Sequence, residues 1–323
     1  MSRRRVALGF ALALCGSGVA AQSAWRSVAV PFYQPGDIVQ GQRAHWYLPR
    51  AQDLARSATA LEQAVQARCA GAPAAASRAA WRDLRLAWLR LATVPVGPLL
   101  ERRSARRIDF APARPARVAR AIEQAPVGEA AMERVGSAAK GFDALRGLLA
   151  PAALEPAACA YAVEVAADLQ REAQALAAAF AEGPDGDEAQ LAAWAEAVNQ
   201  WVGGLEQLRV QGFERGGAGA DEIAARWAAL RTLAVSDAVV APEAGAGLVP
   251  LETVLRGKGL NPLADWLVAE VRTVGLRLDA ARRGGAAAQR AASRALAALA
   301  RRVEAEVAPA LDVRLGFTDA DGD

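Results

Sequence analysis

The sequence predicts an all-α protein built from two helical-bundle-like domains related by internal duplication. Ala and Leu dominate its 323 residues while aromatic residues make up 6%, and those two side chains lose little rotamer freedom in a helix. Apolar residues recur three and four positions apart through most of the chain, the period of a helix with one buried face. A glycine-led stretch, Lys140 to Leu149, has an echo in Gly247 to Leu255. In each, a Gly is followed at matching offsets by an apolar residue, Ala or Pro, Leu, a charge and a closing Leu.

The first residues read as an export signal over 1–21. Arg3, Arg4 and Arg5 form a basic start, Val6 to Cys15 an apolar core, and Val19-Ala20-Ala21 a small-residue cleavage site before Gln22. Ser2 to Val6 partly resembles a twin-arginine signal, and Cys15 raises lipidation, although Leu14 fits a lipoprotein box poorly. Without the three arginines the chain carries 35 basic and 35 acidic side chains. That balance gives no general field for nucleic acid, so no nucleic-acid partner is expected. No run of about eighteen apolar residues follows, so no transmembrane span is expected.

Residues 22–45 read as extended surface chain. Pro49 suits a first helical turn, and a helix is expected from there to Cys69, stopped by Gly71-Ala72-Pro73. The next, over 75–93, carries Trp81, Leu84, Trp88 and Leu91 as one apolar stripe. The segment from Val94 to Pro115 reads as irregular and charged. A short helix over 116–124, the glycine-led stretch and a long helix over 156–182 complete a first domain, 22–183. Gly183-Pro184-Asp185-Gly186-Asp187 marks a turn, with Asp187 a candidate cap. Helices over 188–212, 221–235, 262–282 and 286–308 then fill a second domain, 184–323. Cys69 and Cys159 each lie at a helix end, and in an oxidising compartment they read as one disulfide. The alternative is two separate buried thiols.

Little conventional chemistry is available. His45 is the only histidine, so neither a His-rich zinc site nor a second His-based triad can be built. His45 itself reads as a surface or capping residue. Asp143 and Arg146, one turn apart, can pair; the functional reading of Asp143 is a carboxylate ligand. Glu252 holds the position in the second copy that Arg146 holds in the first, and reads as a hard-metal ligand, or as a solvated or Arg-paired Glu. The cluster Arg102, Arg103, Arg106 and Arg107 reads as an anion or acidic-partner site, or as an exposed turn balanced by Glu101 and Asp109. Asp319 to Asp323 resembles the opening of a calcium loop without its later Glu, and reads as an acidic tail.

Taken together, an ordered set of segments resembles the imelysin family, also called peptidase M75-like. They are His45-Trp46-Tyr47-Leu48-Pro49, Cys69, Trp81 and Trp88 leading into Val96-Gly97-Pro98, Arg106 to Pro112, Lys140 to Leu149, Leu315-Gly316-Phe317 and Asp321-Gly322-Asp323. The resemblance implies an exported protein, periplasmic or attached to the outer membrane, with a partner in the cell envelope or in iron uptake. It implies a divalent metal or iron as the cofactor, held by a Gly-x-His-x-x-Glu motif. Here Gly141 matches the Gly, Asp143 stands for the His and Arg146 for the Glu. A guanidinium beside such a site opposes a cation by about 1–4 kcal/mol. The expectation is therefore a non-catalytic accessory protein with no catalytic residue. The alternative is an M75-type metallopeptidase using Asp143, Glu252 and Asp109 as ligands.

Overall fold

The computed structural model describes residues 29–215, 218–238 and 240–316. The signal-like segment with Cys15 and the acidic tail lie outside them. The described residues contain helices and no strand.

Helix α1 (Pro35–Gln42) starts inside the segment expected to be extended. Its buried residues, with Trp46 and Tyr47, explain why: they supply an apolar face that coil could not bury. A π-turn, Arg43–Tyr47, joins α1 to α2 (Leu48–Cys69). Pro49 cannot donate to the carbonyl of residue 45, and its ring would crowd that carbonyl. The backbone shifts by one, and the Leu48 N–H reaches back five residues to Arg43. His45 is exposed within this turn.

Helix α2 buries Leu54, Ala58, Leu61 and Val65 at heptad-like spacing. It packs on α3 (Ala74–Ala92) and α9 (Pro156–Ala181). Between those two run α4 (Pro98–Glu101), α5 (Ser104–Ile108), α6 (Pro115–Gln124), α7 (Glu129–Glu133) and α8 (Gly141–Leu149). The segment expected to be irregular thus winds into single turns, broken by a cis Ala111–Pro112 bond. Arg103 joins α4 to α5 at φ 52°, a left-handed conformation costing an ordinary residue about 1–2 kcal/mol.

Past the turn come α10 (Asp187–Arg209), α11 (Ala220–Ala234), α12 (Leu251–Gly257), α13 (Asn261–Arg283), α14 (Ala286–Arg302) and α15 (Ala308–Ala310). Gly186, not Asp187, occupies the N-cap of α10, so the expected side-chain cap is absent. Further π-turns, Val210–Glu214 and Val303–Val307, lie after α10 and α14; the latter again precedes a proline, Pro309. Helices α10, α11, α13 and α14 pack together. Helix α1 also lies on α10, and α3 on α11, so the two stretches share one hydrophobic core. Gly204 lets α10 approach α3 closely, since a Cβ there would stand 2.5 Å from the Thr93 carbonyl oxygen.

Cys69 and Cys159 are bonded, with Cα atoms 5.7 Å apart, joining the end of α2 to the start of α9.

Candidate binding site at the glycine-led motif

The glycine-led stretch folds as helix α8. Lys140 is the extended residue before α8, and Gly141 opens it at φ 83°. A Cβ on Gly141 would lie 2.4 Å from the Ile108 carbonyl oxygen, so both the dihedral and the contact require glycine. Gly141→Ala is expected to lose roughly 3 kcal/mol of stability, from strain plus overpacking. Gly147→Ala, with nothing within 4 Å of the added Cβ, should be neutral or mildly stabilising. Urea unfolding of both variants checks this; equal midpoints would sink the close-contact argument.

The other end of α8 is clamped by guanidinium groups. Arg68 donates to the Leu149 carbonyl at 2.9 Å and to Pro151 at 2.6 Å, and Arg78 Nε to Leu149 at 2.9 Å. Cations at a helix C-terminus suit its unpaired carbonyls. Burial, then the neighbouring Arg78, push the Arg68 guanidinium below its ordinary value.

Between these anchors, Asp143 is fully engaged. Its Oδ2 accepts the Ala113 N–H at 2.8 Å, and its Oδ1 pairs with exposed Arg146. The carboxylate therefore fastens the loop after the cis bond to α8. Asp109, at the other end of that loop, accepts from Trp88 Nε1 at 2.7 Å and from Arg85. The Arg85 guanidinium lies 5.3 Å from the Phe142 ring centre, and its Nε reaches Glu222 of α11 at 3.4 Å. Arg226, almost fully buried, donates to Gln207 at 2.8 Å and Gln211 at 2.7 Å. Burial lowers its guanidinium to about 10, against the opposing pull of Asp109. A polar chain thus runs from Asp109 through Arg85 to Glu222, with Arg226 nearby.

Glu252 is elsewhere. It is buried in α12 and accepts from Arg256 and Thr253, each at 3.4 Å, beside a groove of about 650 Å³ between α11 and α13. Burial raises its carboxyl above the usual range, with Arg256 pulling the other way. Among the described residues no three His, Cys, Asp or Glu side chains gather as a metal site requires. The trio Asp143, Glu252 and Asp109 is therefore not assembled. The motif position does not fit a bound metal: Asp143 is committed to a backbone N–H and a cation.

The arginine cluster also differs from expectation. Glu101 and Asp109 do not balance it. Glu172, buried on α9, accepts from Arg102 at 2.9 Å and Ser104 at 2.6 Å, with Arg107 at 3.4 Å. Asp168, one turn earlier, holds Lys140 at 2.9 Å. Two carboxylates four apart on a helix otherwise rich in Ala and Leu were the available signal for this network, and sequence reasoning passed over them.

The described residues form an all-helical frame in which Asp143 fastens a glycine-led helix to the loop after the cis bond. The family model for imelysin, peptidase M75, matches residues 47–314, and the chain belongs to the imelysin family. Its fold is similar to an imelysin-like protein from Psychrobacter arcticum, with a TM-score of 0.69 at 19% identity over 90% of this chain and 100% of that one. It is also similar to a protein from Parabacteroides distasonis described as an iron-regulated protein A precursor: TM-score 0.62, 15% identity, 85% of this chain and 94% of that one. No curated protein sequence matches.

Proposed function

We propose that the protein is a non-catalytic binding or accessory member of the imelysin family, exported to the periplasm or outer membrane and serving iron uptake through a cell-envelope partner. The observation that carries the non-catalytic part is the engagement of Asp143 by Ala113 N–H and Arg146. A metal-bound water needs open ligands and a nearby base; here the motif carboxylate fastens a loop. The iron and export parts are supported by the description of the Parabacteroides relative as an iron-regulated precursor, and by the signal-like residues 1–21. No helix among the described residues is long and apolar enough to cross a membrane.

The test is metal content. Purified protein is loaded with Fe²⁺ or Zn²⁺, desalted and measured by elemental analysis. Well under one equivalent is expected, unchanged in Asp143→Ala. One equivalent that disappears in Asp143→Ala would overturn the reading.

A further inference from the structure

A cleft of about 570 Å³ lies between α3, the α4–α5 turns and α10. That is the size of an ordinary small-molecule site. Trp88 and Leu99 supply apolar wall, and Arg103, Arg106, Gln200 and Gln207 supply its polar groups. No carboxylate lines it. Arg102 and Arg107 next door are held by Glu172, whereas the side chains of Arg103 and Arg106 have no partner among the described residues.

The second observation is Gln200. It lines the cleft at 6% exposure; its amide bonds to no described residue and is not among the buried polar atoms left without a partner, so the part of it that is accessible opens on the cleft. A third bears on Arg103, which holds a left-handed backbone that glycine would adopt without strain. Glycine can therefore replace it without backbone strain, which makes Arg103→Gly a clean removal of the side chain. Gln207, whose Oε1 accepts from Arg226, leaves its amide N–H groups for a ligand.

We infer that this cleft binds a small organic acid, with its apolar body against Trp88 and Leu99, its anionic head on Arg103 and Arg106, and an amide contact from Gln200. Guanidinium forks match carboxylate and phosphate oxygens, and apolar walls give such a ligand an affinity that a bare anion lacks. The inference rests on the binding reading above and says what is bound.

Isothermal titration with 1-naphthoate tests it, using 1-naphthamide and inorganic phosphate as the uncharged and headgroup-only arms. Saturable 1:1 binding of naphthoate is expected, at least tenfold tighter than either control. Arg103→Gly, which suits the backbone, and Arg106→Ala should each weaken it tenfold or more, and Gln200→Leu severalfold. Arg134→Ala, beside the arginine cluster but outside the cleft, should leave it unchanged. Circular dichroism melts establish that each variant folds. Absent naphthoate binding, equal binding of phosphate alone, or an Arg134→Ala loss matching Arg106→Ala overturns the inference. Metal content plays no part in these readouts, so failure here is distinct from failure of the non-catalytic reading.

Discussion

Replacing Asp168 by Ala is expected to cost about 3–5 kcal/mol of folding free energy, because it strands Lys140. The Lys140 ammonium is 5% exposed, with the Asp168 carboxylate at 2.9 Å and the Met132 carbonyl at 3.0 Å. Losing one member of a buried pair leaves a charge with neither water nor counter-ion. Arg171, at 3.4 Å, and Arg107, at 3.9 Å, also face Asp168 but are partly solvated, so their share is smaller. The exposed Arg56–Asp53 pair sets the contrast, since such pairs contribute about 0–1 kcal/mol. A double replacement, Asp168→Leu with Lys140→Met, should recover most of the loss, since apolar substitutes for buried pairs are often neutral or better. Urea unfolding measures both. A loss under 1 kcal/mol in Asp168→Ala would mean that Lys140 finds water, and the buried-pair argument fails.

Breaking the Cys69–Cys159 bond should be of similar size. The cysteines are 90 positions apart, and closing a loop of that length restricts the unfolded chain by roughly 4–5 kcal/mol, with measured effects more often 2–4. The double variant Cys69→Ser, Cys159→Ser should therefore unfold at clearly lower urea than the parent, and the parent in dithiothreitol should move toward it. An unchanged midpoint after thiol titration has shown full reduction would contradict this. The bond sits beside Arg68, which clamps the end of α8. Its loss should thus loosen the motif helix as well as the chain as a whole.

Much of the helical frame was legible because periodicity and punctuation are local. Trp88, Leu84 and Leu91 fall on the buried face that their spacing implies, and the Gly183 to Asp187 turn separates α9 from α10 as read. The beginning of the chain was misread because residues 35–47 owe their helix to long-range burial. Ile38, Trp46 and Tyr47 have no obvious periodic partner in sequence, but they meet the core. The site was less legible still. Asp143 and Arg146 do pair as their one-turn spacing allows, yet the Asp143 partner Ala113 is a backbone N–H that no side-chain pattern reveals. Arg85, Glu222 and Arg226 come from segments more than a hundred positions apart, so only the packing of α3 on α11 unites them. Glu252 stands at the matching offset in sequence, but it is buried beside Arg256, which also pairs with Asp265, and it lies apart from Asp143.

The π-turns before Pro49 and Pro309 act as phase adjusters. A residue advances an α-helix by about 100°, and the extra residue in Arg43–Tyr47 sets the angle between the buried side of α1 and that of α2. With one residue more or fewer between Gln42 and Leu48, Leu54 and Leu61 could face the core only if Ile38 and Val39 turned away. The loop between Ala181 and Asp187 imposes no such angular lock. Length variation among relatives of this chain should therefore collect in that loop and spare the stretch from Pro35 to Pro49, a constraint on lineage that follows from a single missing N–H.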